Sequence, residues 1–506
     1  MTSLDNSPAA DNLNTNDQRQ VRMNKRAELL SRGEEAYPVG VPRTHTLEQV
    51  RAQYPDLEPD TATGVTVGVA GRIVFMRNTG KLCFATLQEG GPEGAGTRLQ
   101  VMLSLANVGE ERLAEWKSLV DLGDHVYVSG EVIASRRGEL SIMANEFQMA
   151  SKALRPLPVL HADLNEETRV RQRYADLIVR NEAREMIYKR SAIVRAVRRT
   201  LEDLDYVEVE TPMLQLIHGG ASARPFKTHL NAFEQPMTLR IALELYLKRT
   251  VVGGIDRVFE MGRIFRNEGV DSTHSPEFTM LECYEAYADQ FVMAERMKEM
   301  ILNAADAVGA GRQIETARGT INLDGEWRWL GVYPGLSEVV GEEITPETPV
   351  ETLHAIAQKH EVNFDPKWDA EKLVVELFGE IVEPNLMDPT FVYDYPPSAQ
   401  PLARPHRDKP GLIEAWDLII GGMERGTAFS ELIDPVIQRE RLTEQSLLAA
   451  GGDPEAMQLD EDFLRALEYG APPMGGIGLG IDRLVMLFTD AGIRETILFP
   501  LLKPEA

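Results

Sequence analysis

The chain has 506 residues, a net charge of −26, 43% hydrophobic and 26% charged residues. That length is too great for one ordinary domain, so two or three are expected. No apolar run approaches the ~20 residues that span a bilayer, the polar N-terminus lacks a signal-peptide core, and Cys83 and Cys283 match no metal-ligand spacing. These features point to a reducing cytoplasm, without membrane attachment.

The acid is unevenly spread. Residues 1–160 carry a balance of −3 and the remainder −23. Taken alone, this favours a small-molecule enzyme over a nucleic-acid binder, although phosphate binding depends on local basic faces and not on the total.

Residues 1–16 are rich in Asn, Asp, Ser and Ala and read as a disordered tail. Over 17–32, basic residues around Val21, Leu29 and Leu30 predict a short amphipathic helix, which is either a solvated helix packed on its own domain or a basic face for nucleic acid. From Val65 the pattern turns to β: Val65–Val69, Cys83–Leu87, Leu99–Leu103, His125–Val132 and Leu140–Phe147 are short runs separated by Gly-containing turns, with a Gly-rich hairpin at Glu89–Thr97. Five strands in this space predict a small closed barrel of the OB type, which presents a face to single-stranded nucleic acid. Ala153–Val159, with two prolines, reads as a linker.

A second body starts near Asn165. Ile193, Val194, Val197, Leu201 and Leu204 recur at helical spacing; strand-like runs, a more helical insertion around 290–370 and further strands to Phe488 follow. Neither GxGxxG nor GxxxxGK[ST] occurs, so a nucleotide would bind on another fold. No internal repeat is apparent.

Four segments carry chemistry. Val207–Leu214 reads as a helix running into an extended strand that ends at Pro212. Phe259–Gly269 and Ser272–Thr279 read as antiparallel strands joined by a polar loop, so Phe278, Glu282 and Tyr284 share a face and Arg266 ends the outgoing strand. An aromatic, a guanidinium and a carboxylate converging there can stack a base, hold a phosphate and hold a cation. In Ile413–Leu432, Thr427, Phe429 and Glu431 alternate onto one face, and Asp417 and Glu424 are spaced carboxylates suited to Mg²⁺ on substrate phosphates. In Gly475–Met486 a Gly-rich strand feeds a helix with Arg483 in its first turn, which is an anion site.

Val207–Leu214, Phe259–Tyr284 and Gly475–Met486 resemble, in order, the three signature motifs of class II aminoacyl-tRNA synthetases, and the resemblance runs from about Asp17 to Pro500. The class I markers HIGH and KMSKS are missing. A barrel followed by this body is similar to the lysine, aspartate and asparagine subgroup, and Gly219–Phe226, Leu245–Arg249 and Phe429–Leu432 are most similar to bacterial lysyl-tRNA synthetases. The resemblance implies an α+β chain: a helix and OB-fold anticodon-binding domain over 17–155, then a catalytic domain over 165–506 built on an antiparallel sheet flanked by helices.

It also implies residue roles. Gly220, Glu244, Glu282, Tyr284 and Glu431 would bind lysine; Arg266, Glu268, His274, Phe278 and Arg483 would bind ATP, with Arg266 and Arg483 catalytic; Asp417 and Glu424 would hold Mg²⁺; Phe84, Gln100 and Glu139 would read anticodon bases. The implied partners are ATP, L-lysine, the lysine tRNA and a second copy of the chain through the region of Pro212. The implied reaction is lysine–tRNA ligation: the lysine carboxylate would attack the α-phosphorus of ATP and expel pyrophosphate, and the terminal ribose hydroxyl of tRNA would then attack the lysyl-adenylate and release AMP. The chain departs from the family at Ala242–Glu244 (often Ala-Pro-Glu), at Thr273–Ser275 (often Arg-His-Asn) and at Thr427 (often Asn), which weakens the case for Ser275 and Thr427 as ligands and leaves their roles open. The residue chemistry agrees with lysine, because an ammonium taken from water needs acid partners and Glu244, Glu282 and Glu431 supply them, whereas an aspartate pocket would need cations. Ligases that lysylate proteins lack the barrel, lipid-lysylating fusions add membrane segments, and a non-catalytic relative would have lost the arginines or the pocket acids.

Overall fold

The computed structural model describes residues 8–91, 96–158, 165–453 and 455–504. Contacts divide the chain into two compact units, Met1–Tyr188 and Lys189–Ala506. The division falls inside the helix Asn181–Asp203.

In the first unit, strands β1 (Ala62–Asn78), β2 (Leu82–Gln88), β3 (Arg98–Ser104), β4 (His125–Ala134) and β5 (Leu140–Ser151) close a barrel in the order β1-β2-β3-β5-β4. Alternation turns Cys83, Ala85 and Leu87 of β2 and Leu99, Val101 and Leu103 of β3 inward, all fully buried. The β4–β5 register shifts at Gly130, where any Cβ would collide with the Met143 carbonyl oxygen, so the bend demands glycine. The strand pattern carries no sign of the helix Leu105–Leu119 between β3 and β4. Ser104 caps it by accepting from the Asn107 amide at 3.2 Å, and it buries Trp116 edge-on against Phe147.

Of the tail expected over 1–16, residues 1–7 lie outside the described chain, and residues 8–16 begin a helix that runs Pro8–Ser31. The basic residues of its second half are partly spent on their own domain. Arg22 is buried and donates to the carbonyls of Leu122, Ala153 and Arg155 at 2.9–3.2 Å, and Lys25 pairs with Asp121 at 2.6 Å. Of the Gly-rich hairpin, residues 92–95 lie outside the described chain, as does Val159 of the linker.

The second unit holds β6 (Val207–Glu208); a small sheet of β7 (Leu214–Gln215), β8 (Lys227–Leu230) and β9 (Gln235–Leu239); the hairpin β10 (Arg257–Phe265) and β11 (Glu277–Ala286); a separate hairpin of β12 (Gln313–Thr316) and β13 (Gly319–Asn322); and β14 (Arg328–Gly331), β15 (Thr390–Tyr393), β16 (Ala415–Ile419), β17 (Glu424–Ser430) and β18 (Met474–Gly480). Eight of these form one sheet in the order β14-β15-β16-β17-β18-β11-β10-β6. Its six central strands are antiparallel, and the outermost pair at each end is parallel.

Ile193, Val197 and Leu201 are the buried stripe of the helix Asn181–Asp203 within this unit. The extended strand expected to reach Pro212 is only Val207–Glu208. Beyond it Thr211 is held by Glu260, whose Oε2 accepts from the Thr211 amide and hydroxyl at 3.0 and 2.6 Å. The insertion around 290–370 carries the helices Gln290–Ala307, Val332–Val340 and Val350–Lys359, with Ala370–Leu377 next; the last three share a core of Leu336, Leu353, Leu373 and Leu377.

Candidate active site

Register places the functional residues side by side. Glu282 on β11 stands opposite Gly478 on β18, which stands opposite Thr427 on β17, which faces Asp417 on β16. One step along, Tyr284, Gly476 and Phe429 form the next row. The glycines in the middle strand leave room. A Cβ at Gly476 would overlap both Glu431 Oε1 and the Tyr284 ring, so this β18 position accepts no side chain while those two occupy the cavity.

Two adjoining cavities lie over these rows. One, of about 260 Å³, is lined by Gly220, Glu244, Glu282, Tyr284, Asp417 and Glu431. The other, of about 190 Å³, is lined by Glu268, His274, Phe278, Arg483 and their neighbours. Arg266 and Glu424 line both. Every residue expected to bind lysine, ATP or metal therefore stands on this double cavity.

The first cavity is acidic, and its carboxylates are buried. Glu244, Glu282 and Glu431 are 3–5% exposed. Glu282 Oε1 accepts from the Leu243 amide at 2.8 Å and Oε2 from the Tyr284 hydroxyl at 3.1 Å. Burial, with the Glu244 charge behind it, pushes Glu282 up to about 8 against these bonds. Burial likewise pushes Glu431 up to about 8, and neither of its oxygens has a directed hydrogen bond. Gly220 sits at φ +85, and a Cβ there would press on Ala242 and Glu244 at 3.0 and 3.1 Å. One cation of the chain itself stands among these carboxylates: Lys248 pairs with Glu244 at 2.6 Å and with Glu431 at 2.5 Å.

The second cavity is a cleft for a planar, anionic ligand. Arg266, just past β10, places its guanidinium 5.3 Å from the Phe278 ring centre. Arg483 lies in the first turn of the helix Ile481–Thr489 and donates to the Glu424 carbonyl at 3.1 Å, with Glu424 Oε2 at 3.4 Å. The buried Arg425 donates to the Arg483 carbonyl at 2.8 Å, and its own pKa is lowered to about 9 by burial and then by the Arg483 charge. His274 is exposed on the 267–275 loop, 2.9 Å from Asp271. Asp482 ties the helix start to β11 by accepting from the Thr279 amide at 2.6 Å.

Carboxylates crowd where the cavities meet. Asp417 is pushed up to about 7 by burial and by the Glu424 charge, against hydrogen bonds from Thr427 and Tyr395. Glu383, outside the expected set, is pushed up to about 7 by burial and the same charge, and its Oε1 accepts from the Glu424 amide at 3.2 Å. Among the described residues no three side chains are grouped closely enough to hold a metal ion by themselves. The pair Asp417 and Glu424 nonetheless fits a divalent cation that draws its other ligands from phosphate oxygens, since such an ion would offset the Glu424 charge that, with burial, pushes Asp417 up.

In the barrel, Phe84 is half-buried on the outer face of β2 and stands outside the core cluster. Gln100 on β3 donates to Ser141 at 2.8 Å, and the exposed Glu139 accepts from Arg51 at 3.2 Å. Register adds two neighbours: Arg77 stands opposite Phe84, and Phe75, 54% exposed, stands opposite Thr86, itself opposite Gln100. Phe75 lies in the apolar run Ile73–Met76, where alternation does not single it out. Lys248, four residues after Glu244, did carry a signal in that helical spacing. Glu383 and Arg425 carried none, because their roles come from segments distant in the chain.

A family model described as tRNA synthetases class II (D, K and N) matches residues 165–503, and one described as OB-fold nucleic acid binding domain matches residues 67–150. A lysine–tRNA ligase of Mycolicibacterium gilvum is 58% identical over 490 residues, covering 96% of this chain and 97% of that protein. A lysine–tRNA ligase of Mycobacterium tuberculosis is 54% identical, covering 97% of this chain and 98% of that protein. A lysylphosphatidylglycerol biosynthesis bifunctional protein of Mycobacterium ulcerans is 48% identical over 96% of this chain, but the match spans only 44% of that protein. No helix among the described residues is long and apolar enough to cross a membrane. With the three signature segments on adjoining strands and the helix that follows them, and full-length relatives at this identity, the chain belongs to the class II tRNA synthetases of the D, K and N group.

Proposed function

We propose that the protein is a lysine–tRNA ligase, converting ATP, L-lysine and lysine tRNA into lysyl-tRNA, AMP and diphosphate through a lysyl-adenylate. The observation that carries this reading is the acidic cavity of buried carboxylates opening directly onto the arginine-lined cleft. Glu244 and Glu431 receive the side-chain ammonium of lysine. Glu282 and Tyr284 receive the α-ammonium, and Gly220 closes the wall. Phe278 offers its ring to the adenine and the Arg266 guanidinium beside it faces the α-phosphate, His274 and Glu268 cover the nucleotide from the loop, and Arg483 holds the far phosphate end.

Arg266 lines both cavities, so it can draw the lysine carboxylate and the α-phosphate together and neutralise charge as the bond forms. Catalysis here is positioning and electrostatics, and no protein nucleophile is needed. Asp417 and Glu424 would hold Mg²⁺, which when bound neutralises phosphate charge. The barrel face of Phe84, Gln100 and Glu139, extended by Phe75, reads the anticodon by stacking and base-edge hydrogen bonds. The exposed Val207, Met213, Leu214 and Leu216 favour a homodimer through this region. Two unpaired, buried cysteines and these substrates fit the cytoplasm.

The test is transfer of labelled lysine to tRNA. Charging of lysine tRNA and not of the same tRNA with a replaced anticodon is expected. Charging with aspartate or asparagine, or indifference to the anticodon, would overturn the assignment.

A further inference from the structure

Lys248 follows Glu244 by four positions on the helix Glu244–Val252, so the two side chains leave the same face. Its ammonium is 1% exposed, donates to Glu244 Oε1 at 2.6 Å and lies 2.5 Å from Glu431 Oε2. The Glu431 oxygens lack directed hydrogen bonds, and Oε1 borders the space that a Cβ at Gly476 would fill, on the floor of the cavity. An ammonium this dry is stable only with opposite charge in contact. Conversely, two carboxylates sharing one dry site cannot both ionise without a cation between them.

The charges can be counted. With all three ionised, Glu244, Glu282 and Glu431 supply three negative charges and Lys248 one positive, leaving two negative, apart from Asp417 and Glu424, which are assigned to Mg²⁺. Lysine brings two ammonium groups into the same cavity, while its carboxylate faces Arg266. With Lys248 in place, the loaded cavity is neutral with every carboxylate ionised. Without it, the loaded cavity would carry an uncompensated buried charge and would keep a proton instead.

We propose that Lys248 is a positioning residue for substrate selection, a built-in cation that takes one oxygen each of Glu244 and Glu431, leaves their other oxygens to the substrate, and sets the cavity charge to match an amino acid with two ammonium groups. This rests on the reading of the cavity as a lysine site. The groups facing Lys248 are Glu244 on its own helix and Glu431 after β17; Glu282 and the Tyr284 hydroxyl on β11 lie next to these, with Arg266 acting on Glu282. Burial alone would push Lys248 down, and the two glutamate charges outweigh it and hold the ammonium above its ordinary value. Its charge opposes the upward push of burial on both glutamates.

The experiment is amino-acid-dependent pyrophosphate exchange by the full chain across pH, in wild type, Lys248→Met and Lys248→Arg. Lys248→Met is expected to raise the KM for lysine at least tenfold near neutral pH and leave the KM for ATP unchanged. The pH at which the KM for lysine falls should move up by about one unit or more, because the glutamate pair now holds its proton more tightly. Lys248→Arg, which keeps the charge, should keep the wild-type pH midpoint even if it binds lysine more weakly. A Met variant with the wild-type midpoint, or one that loses lysine and ATP affinity alike, would show Lys248 to be structural and overturn the proposal. Lys248→Gln serves in the same way should the Met variant not fold. If wild type is driven by an amino acid other than lysine, the proposed function falls, and the midpoint shift measured with that amino acid still decides whether Lys248 governs the pair.

Discussion

The barrel and the eight-stranded sheet use the same alternation of side chains to opposite ends. In the barrel, the inward positions of β2 and β3 are all apolar, and the residues proposed to meet tRNA, Phe75, Phe84 and Gln100 on the outward side and Glu139 in the turn between β4 and β5, are exposed or half-buried. In the sheet, Glu282, Tyr284 and Glu431 are as buried as core residues, glycines make room for them, and Lys248 supplies charge from behind. Charge in a dry cavity acts at full strength, whereas contacts on a wet face are screened and individually small. The sheet should therefore respond to single substitutions by orders of magnitude, and the barrel in modest, separable steps.

The sharpest way to break that contrast is Arg483→Ala. It removes a guanidinium aimed at the nucleotide cleft from an otherwise self-supporting helix, and exchange should drop on the order of 10²–10³-fold or more while the thermal midpoint stays within a few degrees. Near-normal exchange in a folded variant would show Arg483 to be a brace for Glu424 only. Gly476→Ala comes next. The added methyl meets Glu431 and Tyr284 on the cavity side, so the KM for lysine should rise by about tenfold or more with little change in the KM for ATP. Equal loss for both substrates would mean that the strand itself had shifted.

The pH response sharpens the comparison further. In the empty cavity, burial raises Glu282 and Glu431 to about 8, so both hold protons below that pH. On the proposed reading lysine binds the ionised carboxylates, so binding must displace those protons, and the KM for lysine should fall as pH rises from about 6.5 towards 8. The KM for ATP should follow a different profile. A KM for lysine that rises over this window would contradict the electrostatic account. The barrel gives the smallest effects. Phe84→Ala should raise the tRNA concentration needed for charging about tenfold, from a stack worth ~1–3 kcal/mol, and spare exchange; Phe75→Ala should do the same more weakly. If either variant melts early and loses exchange together with charging, its ring belongs to the barrel packing and not to the reading face.

What could be read from the sequence divides along the same line. The placement of the rows in the sheet was legible because strand alternation puts Phe278, Glu282 and Tyr284 on one face whatever they pair with, and because glycines recurring along a strand just before Arg483 open the backbone at a helix start. The partners that tune those residues were not: Lys248 meets Glu431 across 183 positions of chain and Glu383 meets Glu424 across 41, and no local pattern reports such meetings. The barrel strands were legible from β-rich runs, yet the helix Leu105–Leu119 leaves little trace because its buried Leu113, Trp116 and Leu119 are too few for a clear helical stripe. The helix from Pro8 is hidden by polar composition that reads equally well as tail. It is anchored at its far end by Leu29 and Arg22, the latter through contacts with residues more than 90 positions away.

The central claim is that the acidic cavity selects an amino acid with a second ammonium group. Pyrophosphate exchange by the full chain with each of the twenty amino acids tests it most directly. Strong stimulation by lysine alone is the predicted result, with ornithine only a weak competitor because one methylene is worth ~1–3 kcal/mol in such a pocket. Stimulation by aspartate, asparagine or an uncharged amino acid at a level matching lysine would contradict it.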